Sequence, residues 1–311
     1  MFTHQRERSL AVHWIAPGIA LCALAAAANA QIVNPADKQQ PPKTEAELQA
    51  EQSANERLRT WEMPGITVEG QALPLYREDQ LIGDYNQPRW SADRRFPTTR
   101  VYVIPAGKFE IEHWTRVKTP RNGPSTVETQ YEFEVGLPHR FQIDVYGVTE
   151  KTGSEGVLDW SQQKFEVRYA FADWGEIPLN PTIYLEWEEN SGVPDILETK
   201  VLLGDQITDG WYYGVNLSNE HEVSGDLTNE WEITAGVTHA LQDEKLSLGG
   251  ELKASLTDIH GDRGNYDKSL EIGPSMQWRP VPAMHIDVAP LIGIGPDSRQ
   301  SDIYVVLGWE F

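Results

Sequence analysis

The 311-residue chain has one cysteine, Cys22, and it lies within the first 30 residues. No disulfide can form within one chain, so an exported fold would have to rest on a large core or a closed sheet. After residue 30 no apolar run approaches the roughly 20 residues of a membrane-crossing helix. Bases are scarce too, 26 Lys and Arg against 47 Asp and Glu, for a formal net charge of -21. Such a surface repels phosphate backbones and removes nucleic acid from the partners to consider.

What is present starts with an export signal over residues 1–30. Arg6 and Arg8 form a basic start, an apolar stretch runs from Ile15 to Ala28, and Ala28-Asn29-Ala30 offers a small-x-small cleavage pattern. Leu21 stands where a lipoprotein signal wants a small residue before its cysteine. Cleavage after Ala30 would leave a mature chain without cysteine.

Residues 31–100 read as a separate extension, periplasmic or plugging the lumen. A Pro- and Gln-rich linker (Gln31 to Lys43) leads into a capping box, Thr44-Glu45-Ala46-Glu47. A helix over 45–61 follows, ended by Pro64, with a sparse apolar stripe of Leu48, Ala54, Leu58 and Trp61. Gly65 to Thr99 is loop-like.

Residues 101–311 carry twelve segments of alternating polarity. Tyr131, Phe133 and Val135 alternate with Glu132 and Glu134, Ile183, Leu185 and Trp187 with Tyr184 and Glu186, and Ile303, Val305 and Leu307 with Tyr304 and Val306. A strand sends alternate side chains to opposite faces, so one face suits lipid and the other water. Most segments have the length a tilted strand needs to cross a bilayer, and an even number returns both termini to one end. Gly-bearing connections follow the odd segments. Tight turns are expected after the even ones, at Leu137-Pro138-His139, Leu203-Gly204-Asp205 and Arg279-Pro280-Val281-Pro282. Tyr131, Trp174, Trp187, Trp211, Trp231, Trp278 and Trp309 are placed as interfacial girdles. The chain stops on Phe311, two residues after Trp309, which resembles the C-terminal signal of bacterial outer-membrane barrels and implies delivery to the barrel-assembly machinery. The expected fold is all-β: a twelve-stranded antiparallel transmembrane β-barrel with an N-terminal helical and loop extension, embedded in outer-membrane lipid. A secreted β-sandwich would share the alternation; the signal, the even count, the strand lengths and the terminal Phe favour the barrel.

The opposite parity defines the lumen. Its acids include Glu110, Glu112, Glu132, Glu134, Asp144, Glu166, Glu186, Glu188, Glu232, Glu251 and Glu271, against bases such as Arg116, Lys164, Arg168 and Lys253. So many carboxylates cannot ionise in a dry core, so a hydrated, cation-preferring path is expected, although any barrel of this kind has a polar lumen. Arg89, Trp90, Arg94, Arg95 and Arg100 form a cationic, Pro-bounded segment before the first strand. It reads as a candidate plug for that lumen, or else as a periplasmic tether.

Strands such as Gly107-Lys108-Phe109-Glu110-Ile111-Glu112, the run from Tyr131 to Phe141, and Phe165-Glu166-Val167-Arg168-Tyr169 resemble a Proteobacterial outer-membrane family. That family is named for the meta-pathway of phenol degradation, and its members are described as transporters. The resemblance covers residues 105–311 and implies passage of small organic solutes. Twelve strands also suit an outer-membrane phospholipase. However, His113, His139, His239 and His285 have no serine two residues on, and Ser224 follows His221 by three, on the opposite strand face. No catalytic residues, cofactor or metal site are therefore expected; Asp258, His260, Asp262 and Asp267 form an oxygen-rich loop that could hold a divalent cation loosely but reads first as a solvated outer loop. The expected function is passage of a small solute. The rival is a membrane anchor whose extension docks a periplasmic or surface protein.

Overall fold

The computed structural model describes residues 43–59, 77–242 and 245–311. The export signal, the linker, Trp61 and Pro64 lie outside the described residues. Helix α1 (Glu45–Arg59) belongs to the first of two units, which spans Met1–Gly70. Its start is half a capping box. The Glu47 carboxylate accepts from the Thr44 backbone N–H at 2.8 Å and from the Thr44 hydroxyl at 3.0 Å, while the Glu47 N–H goes to the Thr44 carbonyl. These bonds, the backbone one first, hold the Glu47 carboxyl below its usual range.

The second unit contains a closed barrel of twelve strands: β1 (Phe109–Thr119), β2 (Thr126–Leu137), β3 (Phe141–Thr152), β4 (Asp159–Ala170), β5 (Thr182–Asn190), β6 (Ile196–Thr208), β7 (Trp211–Glu222), β8 (Asn229–Gln242), β9 (Leu246–Asp258), β10 (Asp267–Val281), β11 (Met284–Gly293) and β12 (Ser301–Glu310). Every strand pairs antiparallel with its sequence neighbour, and β12 closes on β1 with Val305 opposite Thr115 and Trp309 opposite Ile111. Closure leaves no sheet edge, so every strand can pair its backbone on both sides. Among the described residues no helix is long and apolar enough to cross a membrane, which says nothing of the strands.

Parity works as the alternation requires. Phe133, Val135, Ile143, Val167, Leu185, Ile233 and Val305 are exposed on the outside, while Glu132, Glu134, Asp144, Glu166 and Glu186 are buried inside. An outer band of bare aliphatic and aromatic side chains is unsuited to water and matches acyl chains.

Three turn and aromatic expectations are corrected. Leu203-Gly204-Asp205 is not a turn: β6 continues to Thr208, and the reversal falls at 209–210, where Gly210 takes φ +73°. Arg279-Pro280-Val281-Pro282 is mostly strand, with β10 reaching Val281. Trp174 is not in a girdle. It sits in the 171–181 connection and packs edge-on against Trp90 and Tyr102, with ring centroids 5.4 and 5.2 Å away. That connection follows an even strand, yet it is longer than the tight reversal expected there, because it braces material inside the ring.

That material is residues 77–108, which run through the lumen before β1 begins at Phe109. They include a two-residue ladder (Leu81–Ile82 with Gln87–Pro88) and the single turn α2 (Arg89–Ala92). Tyr85, Trp90, Phe96, Val101, Tyr102 and Val103 form a buried cluster with Ala170 and Tyr212 of the wall. The wall makes room with glycine. Gly204, Gly214 and Gly236 stand directly opposite one another on β6, β7 and β8, all facing inward. A Cβ at Gly204 would strike Val101, and one at Gly236 would strike the Phe96 ring.

Candidate functional site

The register of the strands aligns the lumenal acids. Starting from β12, directly opposite partners read Glu310, Glu110, Glu134, Asp144, Glu166, Glu186, Glu198, Glu220 and Glu230 across nine consecutive strands. Like charges directly opposite each other destabilise a sheet, so this row has to be offset by cations or water. It runs from the end where β1 begins and β12 stops, at Glu310 and Glu110, to the far end, at Glu220 and Glu230. A second pair, Glu112 opposite Glu132, lies beside its start.

The wall supplies part of the offset. Arg168 reaches Asp144 at 3.0 Å and Glu134 at 3.8 Å and also pairs with Glu166. Lys164 meets Glu188 at 2.9 Å and Glu186 at 3.4 Å, Lys200 meets Glu198 at 2.8 Å, and Lys253 meets Glu232 at 2.7 Å. Arg116 holds Asp302 at 2.6 Å.

The inner segment supplies the rest. Arg94 donates through Nε to Glu112 at 2.6 Å, lies 3.3 Å from Glu132, and stacks 4.0 Å over the Trp114 ring. Arg100 reaches Glu132 and Glu134, each at 2.5 Å, and Glu112 at 3.4 Å. Two guanidiniums thus serve three buried carboxylates from β1 and β2. Arginine suits this role because its planar fork serves several oxygens and its charge is fixed. Arg95 turns the other way, pairing with Glu78 and donating to Ser247 at 2.7 Å. Arg89 lines a 200 Å³ cavity at the end where β12 stops, with Asp93, Glu110 and Phe311. Trp90 is stacked on Tyr212 at 4.6 Å.

Backbone groups of the inner segment are met by wall side chains all round. Asn216 accepts from the Arg100 N–H at 2.8 Å and donates to its carbonyl at 2.6 Å. Glu251 accepts from the Thr98 N–H at 2.8 Å, and Gln142 from the Ile104 N–H at 2.7 Å. Glu271 is buried on the β10 wall, within reach of Ser269 at 3.4 Å. Trp309 and Phe311 lie on the exposed face, where Phe311 packs 5.1 Å from Phe109 and donates its N–H to the Phe109 carbonyl.

Beyond the inner segment, away from Glu310 and Phe311, a cavity of 170 Å³ remains. It is lined by Glu128, Glu186, Glu188, Glu198, Glu220 and Glu232 together with Lys164, Lys200, Lys253, Trp114, Tyr184 and Tyr304. The surroundings are therefore strongly polar with a small aromatic share, suited to a hydrated solute.

Trp114, Asn216, Gln142 and Gly236 were not singled out from the sequence, and His285 was weighed only as a histidine lacking a serine two residues on. Parity alone places each inward, and an inward aromatic or glycine was the available signal. Asp258 proves to be used by Arg263 and by the Gly264 N–H. His239 bonds the Gly210 carbonyl and stacks on Trp211.

No protein-family model and no curated protein sequence matches the chain. The structure is similar to an outer membrane channel from Pseudomonas putida F1, with a TM-score of 0.50 and 9% identity over 68% of this chain and 98% of that one. It is also similar to the KdgM porin (TM-score 0.45, 10% identity, 65% of this chain and 99% of that one) and to the NanC porin (0.45, 12%, 65% and 98%). At such identity the first likeness is one of fold. With the apolar outer band and polar lumen already described, it makes the chain a β-barrel of the outer-membrane type.

Proposed function

We propose that this barrel passes a small solute across the outer membrane along the ramp of carboxylates, with a preference for cations. The row of nine acids from Glu310 to Glu230 is the observation that carries this reading. It spans the wall from one end to the other, as rings of Asp and Glu do in cation-conducting pores. Residues 77–108 act as an internal plug that narrows the path, held by Arg94 and Arg100. Small organic solutes, the class implied by the resemblance to the phenol meta-pathway family, fit the aromatic share of the cavity (Trp114, Tyr184, Tyr304). Reversal potentials of the full chain in a planar bilayer under a KCl gradient test the preference. A potential on the cation side, diminished by Glu186→Gln with Glu198→Gln, is expected; an anion-side potential contradicts it.

A second reading is favoured by α1, whose described side chains from Glu45 to Glu56 are all exposed. In that reading the helix docks a periplasmic or surface protein and the barrel anchors it. Loss of partner cross-linking on deleting residues 44–59, with conductance retained, would support it.

A further inference from the structure

Arg94 enters a recess of the wall whose parts are assembled without it. Glu112 and Trp114 stand two positions apart on the inner face of β1, and Glu132 of β2 lies directly opposite Glu112. The Arg94 Nε–H meets both Glu112 oxygens, at 2.6 and 2.8 Å, and its Nη2 lies 3.3 Å from Glu132 and 3.6 Å from Glu134. Its guanidinium carbon sits 4.0 Å from the centre of the Trp114 ring. Carboxylates at the edges and an aromatic face beneath suit a planar guanidinium, whereas an ammonium uses them only in part.

Wall groups hold the recess in shape. The Trp114 indole N–H donates to Glu112 at 3.0 Å, and its ring packs against Ala289, Leu291 and Tyr304 of β11 and β12. The Gln130 amide donates to Glu132 at 3.3 Å. Charge accounting shows what the recess lacks once Arg94 leaves. Glu112, Glu132 and Glu134 would keep Arg100, which reaches all three. Arg168, 3.8 Å from Glu134, is committed to Asp144 and Glu166 as well, and His285, 3.6 Å from Glu112, to Glu110 and Asp287. At least one further cation is still called for. A second observation makes the recess reachable: Arg94, Trp114 and Glu132 all line the 170 Å³ cavity beyond the inner segment. A solute in that cavity meets the groups that Arg94 holds.

We infer that Glu112, Glu132 and Trp114 form a binding site for the guanidinium group of a small solute, and that Arg94 occupies it as an internal mimic. This rests on the transport reading above and names the solute's cationic group: a guanidino compound rather than an alkylammonium. Arg94 then narrows the path and also competes with the solute. A group tethered this closely acts as though present at millimolar concentration or more, so solute binding and retraction of the inner segment are linked.

Methylguanidinium is the probe and methylammonium its control. Each is titrated calorimetrically into the full chain folded in detergent, unaltered, as Arg94→Gln, and as Arg94→Gln with Trp114→Leu. About one equivalent of methylguanidinium is expected on Arg94→Gln. Its affinity should exceed that for the unaltered chain, and that of methylammonium for Arg94→Gln, by about tenfold or more. Adding Trp114→Leu should lower it about tenfold although every carboxylate remains. Heat-modifiable gel migration certifies folding, and Arg94→Lys, which keeps the charge but not the fork, replaces Arg94→Gln should the latter not fold. The inference is overturned by absence of binding in the folded variant, by methylammonium binding as well as methylguanidinium, or by binding undiminished in Trp114→Leu, which marks adsorption to acids in general. Cation-side reversal potentials without such binding overturn this inference alone; anion-side potentials overturn the transport reading and the solute assignment with it.

Discussion

Arg94 donates through Nε to both oxygens of Glu112, at 2.6 and 2.8 Å, and neither side chain reaches solvent. One belongs to the segment inside the ring and the other to the wall. Removing one partner from a buried pair leaves an uncompensated charge, at a cost of about 3–5 kcal/mol, while replacing both costs far less. Arg94→Met should therefore loosen residues 77–108 strongly, and Arg94→Met with Glu112→Gln should recover much of the loss. Proteolysis of the inner segment in folded, heat-modifiable protein measures this, and additive losses in the double variant would contradict the coupling.

Gly236 gives a second handle. Valine suits a strand, but its side chain would enter the space of the Phe96 ring. Overpacking of this kind costs about 1–3 kcal/mol. Gly236→Val should leave the barrel intact and shift the inner segment toward its displaced state by about tenfold or more. Larger or more frequent channel openings would report it, and an unchanged record would contradict it.

On the outer face, Val305 lies at the middle of β12 and is exposed. Val305→Arg should lose about 2–4 kcal/mol if that face meets the bilayer midplane. Equilibrium unfolding from lipid vesicles measures it; a loss near zero would mean that the face meets water.

The start of α1 carries a pH dependence. The Glu47 carboxyl titrates lower when bonded to Thr44 than when free, so its contribution is present above the unfolded value of about 4.3 and is lost as pH falls through the bonded value. Amide exchange at Thr44 should rise in that acidic window and become pH-independent beyond the intrinsic trend in Glu47→Ala.

How much could be read from the chain follows from the range of each signal. Alternation is local, so Tyr131 outward and Glu132 inward were legible, as were the twelve strands. Pairing register is not local. The acids were visible one strand at a time, but their alignment into one row depends on how β1 to β8 are staggered. Gly204 shows the cost of a local rule: glycine in a polar context reads as a turn, whereas here it clears space for Val101, 103 positions earlier in the chain. Trp174 was misread for the same reason, since its partners Trp90 and Tyr102 arrive from a segment that local pattern leaves unplaced. The arginines before β1 were noticed as a cluster. Their division, with Arg94 and Arg100 on Glu112, Glu132 and Glu134 but Arg95 on Glu78, depends on the path through the lumen.

The most direct test of the account is single-channel recording of the full chain beside a variant lacking residues 31–103, both shown to be folded by heat-modifiable migration. The account predicts a several-fold larger and still cation-selective current from the shortened barrel, because the narrowing segment is gone while the carboxylates of the wall remain. Equal currents, or a loss of cation selectivity with the wall acids in place, would contradict it.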